Sequence, residues 1–164
     1  MIFIFILFAL TSCFNDNHPM DTFINRVEYK TSRELESKYN LEPTSFGSES
    51  ILGVSSLSLG FRSPNILSIE ERRRLIVSSV ELFLENINAD TNLRPYLLEH
   101  PFPTSRISFS IASTAPNPIL DLSWTSCTLR HDQIEYSNFE QGVKKVELRE
   151  SYENAKRRLH EETV

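Results

Sequence analysis

Two side chains in the C-terminal half have the types and spacing of a nucleophile and its base. His131 follows Cys127 by four residues, and an imidazole beside a thiol can lower the thiol pKa and produce a nucleophilic thiolate. Cys127 lies in a segment that predicts a strand, where a free cysteine is commonly a small buried hydrophobe. We therefore expect a structural thiol. A hydrolase-type site around Cys127 and His131, or among the loop serines, remains the alternative.

The other residues that could do chemistry are scattered. His18, His100, His131 and His160 fall in a predicted tether, a helix end, a turn and a charged terminal helix. The sequence has no HExxH, CxxC, glycine-rich phosphate loop or aspartate-rich calcium loop. The serines after Gly47 and Gly53 lack the second glycine of a nucleophile elbow. We expect no catalytic residue, metal or cofactor; the sequence favours a non-enzymatic protein but leaves the enzyme question open.

One polar and aromatic cluster follows the longest predicted helix and consists of Arg94, Tyr96 and His100. Arginine and tyrosine are favoured anchors of protein interfaces, so one interpretation is a docking patch for another protein. The structural interpretation pairs Arg94 with a carboxylate such as Asp90 and packs Tyr96 at the edge of a sheet. The three residues are kept as the candidate interaction patch.

The longest predicted helix begins after Ser68. Its apolar stripe recurs at helical spacing and consists of Ile69, Ile76, Val80, Phe83 and Ile87. Ser68 and Glu71 have the spacing of a capping box. The basic run at residues 72–74 is interpreted as a solvated helix face paired with its acidic neighbours. A helix with so large an apolar surface must bury it against other elements, and a sheet would provide that surface.

Alternating apolar residues predict the strands, and charged or apolar stripes predict two further helices and a short one. Strands are expected within residues 51–61, 106–113, 120–129, 134–136 and 146–148, helices at 21–40, at 93–99 and after Ser151, and a break at 42–47. A helix that starts near Val143 is the alternative to the last strand. Strands joined by short turns pair antiparallel. The sequence therefore predicts an α+β fold: an antiparallel sheet of four to five strands, a long central helix on one face, and further N- and C-terminal helices.

The chain opens on an apolar run, MIFIFILFAL, which is followed by Thr11, Ser12 and Cys13. A run this short cannot span a bilayer, which needs about 20 residues, but it suits the apolar part of an export signal. The segment Leu10-Thr11-Ser12-Cys13 resembles the bacterial lipobox, in which the cysteine is lipidated on sulfur and becomes the mature N-terminus. No lysine or arginine precedes the run, unlike most such signals. A buried N-terminal strand or helix with an incidental cysteine is the alternative.

The resemblance implies three parts: a signal peptide at 1–12, a lipid-anchored Cys13 with a tether at 13–20, and a single α+β domain at 21–164. A second resemblance is to a set of uncharacterised lipoproteins of chlamydia-like bacteria. It rests on Val80-Glu81-x-Phe83-Leu84, Leu93-Arg94-Pro95-Tyr96-Leu97, Pro101-Phe102 and Glu150-Ser151-Tyr152-Glu153-x-Ala155. That family has no established activity, so the resemblance implies a fold and an envelope location without a mechanism.

Composition narrows the function classes further. The net charge of −5 disfavours nucleic acid as a partner, because phosphate binding needs clustered lysine and arginine. We therefore expect a lipid-anchored protein of the cell membrane or outer membrane that faces the periplasm or the exterior. Its domain is expected to be a non-catalytic binding or structural module, with another protein as a candidate partner. The alternatives are the hydrolase and a secreted protein without lipid.

Overall fold

One sheet of six strands carries three helices in the part of the chain that the computed structural model describes, residues 18–114 and 124–161. The helices are α1 (Pro19–Tyr39), α2 (Ile69–Ala89) and α3 (Tyr152–Glu161). The strands are β1 (Glu42–Ser50), β2 (Val54–Ser63), β3 (Ile107–Thr114), β4 (Trp124–Arg130), β5 (Gln133–Glu140) and β6 (Val143–Ser151). This is the predicted α+β class. The expected strand positions Leu120 and Leu122 lie outside the described residues.

The sheet is mixed, which corrects the predicted antiparallel sheet of four to five strands. Its spatial order follows the chain from β1 to β6. β2 and β3 are parallel, and the other neighbours are antiparallel. The cause is the connection: α2 carries the chain back along one face between β2 and β3, and a crossover of this kind makes the joined strands parallel.

Three local predictions also need correction. The expected break at 42–47 is part of β1, an edge strand whose residues are nearly all exposed. The strand expected from residue 51 begins at Val54, because Ile51 to Gly53 form the β1–β2 turn. The helix expected at 93–99 is only a 3-10 turn at Arg94–Tyr96.

The central helix packs as predicted, against β3 and β4 with α1 and α3 beside it. The capping box forms, and the Glu71 amide donates to Ser68 Oγ at 3.3 Å. Phe83 lies 6.4 Å from Phe109 of β3, ring centre to ring centre. The fully buried members of the stripe are Ile76, Val80, Phe83 and Ile87.

The first helix begins at Pro19 rather than near residue 21, and the His18 side chain accepts a hydrogen bond from the Met20 amide. Its buried residues include Ile24, Val27 and Leu35, and the helix packs on α2 and β1. Pro19 and Met20, expected in the tether, therefore belong to the domain.

The basic run at 72–74 is not a solvated face, because Arg72 and Arg73 are only 2% and 4% exposed. Both reach β6, where Arg73 Nε donates to Glu150 Oε1 at 2.7 Å and Arg72 Nη2 donates to Glu147 Oε2 at 2.5 Å. Buried cations need partners, and here the partners come from the far end of the chain.

Candidate functional site

The thiol and the imidazole that could have formed a catalytic pair occupy very different surroundings. Cys127 is fully buried in β4, with its Sγ 3.8 Å from the Arg72 carbonyl oxygen. Burial raises the pKa of the thiol to about 12, so it stays protonated. His131 is exposed in the β4–β5 turn, with φ of 48°. A protonated thiol without exposure cannot reach a substrate, so the geometry gives this alternative no support.

The candidate interaction patch is split between surface and interior. Arg94 and His100 are exposed, whereas Tyr96 is half-buried, 5.9 Å from the Phe23 ring and 6.0 Å from the His18 ring. The predicted pairing of Arg94 with Asp90 is wrong. Arg26 of α1 binds both carboxylate oxygens of Asp90, at 2.7 and 2.6 Å, and so ties α1 to the end of α2.

Next to this patch, three apolar side chains point into solvent; we call them the apolar tip. Ile51 and Leu52 in the β1–β2 turn are 96% and 92% exposed, and Leu98, after the 3-10 turn, is 54% exposed. Two adjacent, almost fully exposed aliphatic residues have no role in the core. An exposed apolar cluster of this kind is a candidate contact site.

The apolar tip is held on the domain by a hydrogen bond and by close packing beside Gly53. The Leu98 amide donates to the Val54 carbonyl oxygen at 3.2 Å, which joins the segment after α2 to the start of β2. Gly53 has φ of +147°, and a Cβ there would lie 2.8 Å from Leu98 Cδ2 and 2.9 Å from the Tyr96 carbonyl oxygen. Only glycine fits this position without displacement.

The tip lies at the end of the molecule where the described chain begins. The Tyr96 ring lies 6.0 Å from the His18 ring, centre to centre. The Tyr96 carbonyl oxygen lies next to Gly53. His18 is the first residue described and caps α1. The described chain therefore begins close to the apolar tip.

A polar cleft of about 700 Å³ adjoins the tip at the same end of the sheet. Its floor includes Ser58 and Ser108, which alternate with buried residues of β2 and β3 and so lie on the face opposite α2. Its charged and titratable residues are Glu49, Glu99, Arg106, Arg130 and His131. The hydroxyl and guanidinium groups are donors suited to an anionic or hydroxylated group.

The described residues hold no group of three or more histidine, cysteine or acidic side chains that could bind a metal. Within the same ranges, no helix combines the length and the apolar composition needed to cross a membrane. Cys13 lies outside the described residues. The strand expected at 51–61 includes Ile51 and Leu52, so the sequence pattern does not reveal the tip. The signal for the turn is that these two adjacent apolar residues break the alternation of the strand.

No protein-family model matches the chain, and no curated protein has a significantly similar sequence.

Proposed function

We propose that the chain is a lipid-anchored bacterial envelope protein whose α+β domain is a non-catalytic binding or structural module. The observation that carries the proposal is the apolar run that ends in Leu10-Thr11-Ser12-Cys13, immediately before a folded domain. In this proposal residues 1–12 are removed as a signal, and the Cys13 sulfur carries the lipid.

A lipid on Cys13 would hold the domain at the membrane surface. Helix α1 begins at Pro19, six residues after Cys13. Whatever their conformation, six residues span at most about 20 Å. Each buried acyl methylene contributes about 0.8 kcal/mol to anchoring, so two acyl chains anchor a protein stably without a spanning helix.

The location and the partners follow from the anchor. The domain would face the periplasm or the exterior from the cell membrane or the outer membrane. A protein partner would meet the exposed part of the candidate patch, Arg94 and His100, which flanks the half-buried Tyr96. The burial of Cys127, which keeps its thiol away from any substrate, favours binding over a hydrolase that uses Cys127 and His131.

Labelling of the full chain with radioactive palmitate in a bacterial host tests the proposal. The wild type should carry label and stay with the membranes, and Cys13→Ser should lose both properties. Cys127→Ala is the matched control, because it removes the other thiol and should keep the label. An unlabelled wild type would overturn the proposal, and its recovery outside the membrane fraction would favour the secreted, lipid-free protein.

A further inference from the structure

We propose that the apolar tip, Ile51, Leu52 and Leu98, docks into the lipid surface to which the chain is anchored. This inference rests on the proposed function, because the occupant of the tip is identified from the anchor. It adds what lipidation alone does not specify, namely which end of the domain contacts the bilayer.

The exposed aliphatic side chains of the tip would be stabilised by contact with an apolar environment. Ile51 and Leu52 are exposed almost as fully as in an unfolded chain. The hydrogen bond from the Leu98 amide to the Val54 carbonyl oxygen holds the turn on the domain, and the space beside Gly53 is too tight for a Cβ, so the side chains of the tip have a defined position. Short apolar protrusions of this kind can enter the boundary between headgroups and acyl chains.

The position of the tip identifies the lipid as the occupant. The Tyr96 ring lies against the His18 ring, and the Tyr96 carbonyl oxygen lies next to Gly53. His18, where the described chain begins, and the tip therefore lie at the same end of the molecule. A tether of at most about 20 Å between Cys13 and Pro19 keeps that end beside the bilayer. Tethering also raises the effective concentration, so even a weak docking surface would be occupied.

The charges around the tip are compatible with an anionic membrane. Arg94 is exposed beside it, and Arg106 and Arg130 line the adjoining cleft. The nearby carboxylates are Glu49 and Glu99, of which Glu99 lies 3.9 Å from Arg106 Nε. Arginines at the interface are attracted to anionic headgroups.

The matched control site is Val143, at the other end of the sheet. Val143 is 67% exposed and starts β6, directly after the β5–β6 turn. The β4–β5 turn with His131 adjoins the cleft beside the tip, and β5 runs from there to the β5–β6 turn. Val143 is therefore an exposed aliphatic residue that the proposal places away from the lipid.

The experiment uses the full, lipidated chain in vesicles of phosphatidylethanolamine and phosphatidylglycerol. A polarity-sensitive fluorophore is attached at Leu52→Cys or at Val143→Cys, and spin-labelled lipids serve as quenchers. Cys127 is buried, and Cys13 would be blocked by lipid, so neither should react with the dye. We expect quenching at residue 52 to exceed that at residue 143 by about threefold or more, and Ile51→Asp to reduce it to the control level.

The outcomes separate this inference from the proposed function. Protein that carries palmitate and floats with the vesicles, but shows equal quenching at both sites, overturns the docking and leaves the anchor intact. Absence of palmitate overturns both. A fluorophore at residue 52 that is shielded without lipid, in proportion to protein concentration, shows that a second copy covers the tip and overturns the docking.

Discussion

Replacing Arg72 with methionine removes the guanidinium that links α2 to the last three strands. Arg72 Nη1 donates to the Ser126 carbonyl oxygen of β4 at 3.0 Å and to the Ser137 carbonyl oxygen of β5 at 3.1 Å. Its Nη2 donates to Glu147 Oε2 of β6. Methionine keeps much of the length and the helix propensity but donates no hydrogen bond.

The loss should be large because two of the three acceptors in the last three strands are backbone oxygens. Each buried acceptor left without a partner costs about 1–3 kcal/mol. The Glu147 side chain is 25% exposed and can regain water, so its contribution is smaller. Two such acceptors give an expected loss of about 2–6 kcal/mol in the free energy of unfolding for Arg72→Met.

Urea unfolding, followed by the fluorescence of the single tryptophan, Trp124, measures this loss. The background is Cys13→Ser, so that lipid does not interfere. Arg74→Met is the control, since Arg74 is exposed on the same helix and should lose no more than about 0.5 kcal/mol. Free energies of unfolding within about 1 kcal/mol of each other for the two variants would contradict the structural role of the Arg72 guanidinium.

Three further predictions concern buried or braced groups. Burial raises the pKa of Glu28 from its ordinary 4.5 to about 7, so the folded protein holds a proton that the unfolded chain has lost between these values. The free energy of unfolding should therefore fall as the pH rises through that window. Urea unfolding should show a fall that is about 2–3 kcal/mol smaller for Glu28→Gln than for the wild type, and the same pH dependence in both proteins would contradict this. Cys127 of Cys13→Ser should not react with Ellman's reagent until urea unfolds the protein, because its thiol is buried and protonated; rapid reaction of the native protein would refute the burial. Gly53→Ala should lower the thermal midpoint more than Gly142→Ala, since both glycines have positive φ but an added Cβ at Gly142 meets nothing within 4 Å. Equal shifts of the two midpoints would contradict the tight packing of Leu98 against residue 53.

Local signals predicted the central helix well. The capping box needs only Ser68 and Glu71, three residues apart, and the apolar stripe needs only one helix, so both are readable from a short segment. The same stripe also held a missed signal. Arg72 and Arg73 follow Ile69 by three and four residues and precede Ile76 by four and three, so helical spacing places them on the buried face.

Contacts between distant segments were not predictable from local patterns. Glu147 and Glu150 lie 75 and 77 residues from their arginine partners, and no periodicity connects them. β1 was missed because its burial pattern is almost wholly exposed, so it has no apolar alternation. Its pairing is supplied by the backbone of β2 rather than by its own side chains.

The candidate site was predicted only in part. The residues Arg94, Tyr96 and His100 do lie near an exposed feature, but the pairing given to Arg94 belongs to Arg26. The apolar tip depends on where the hairpin turns, and a shift of three residues in the start of β2 hid it. Turn positions are among the features that sequence patterns locate least well.

The proposed lipid on Cys13 is tested most directly by mass spectrometry of tryptic peptides from protein purified out of the membrane fraction. Residues 13–26 form one tryptic peptide, since no lysine or arginine lies between Cys13 and Arg26. The expected result is this peptide with Cys13 as its first residue and the added mass of a diacylglyceryl group. A peptide that still begins at Met1, or an unmodified Cys13, would contradict the membrane anchor and with it the docking of the tip.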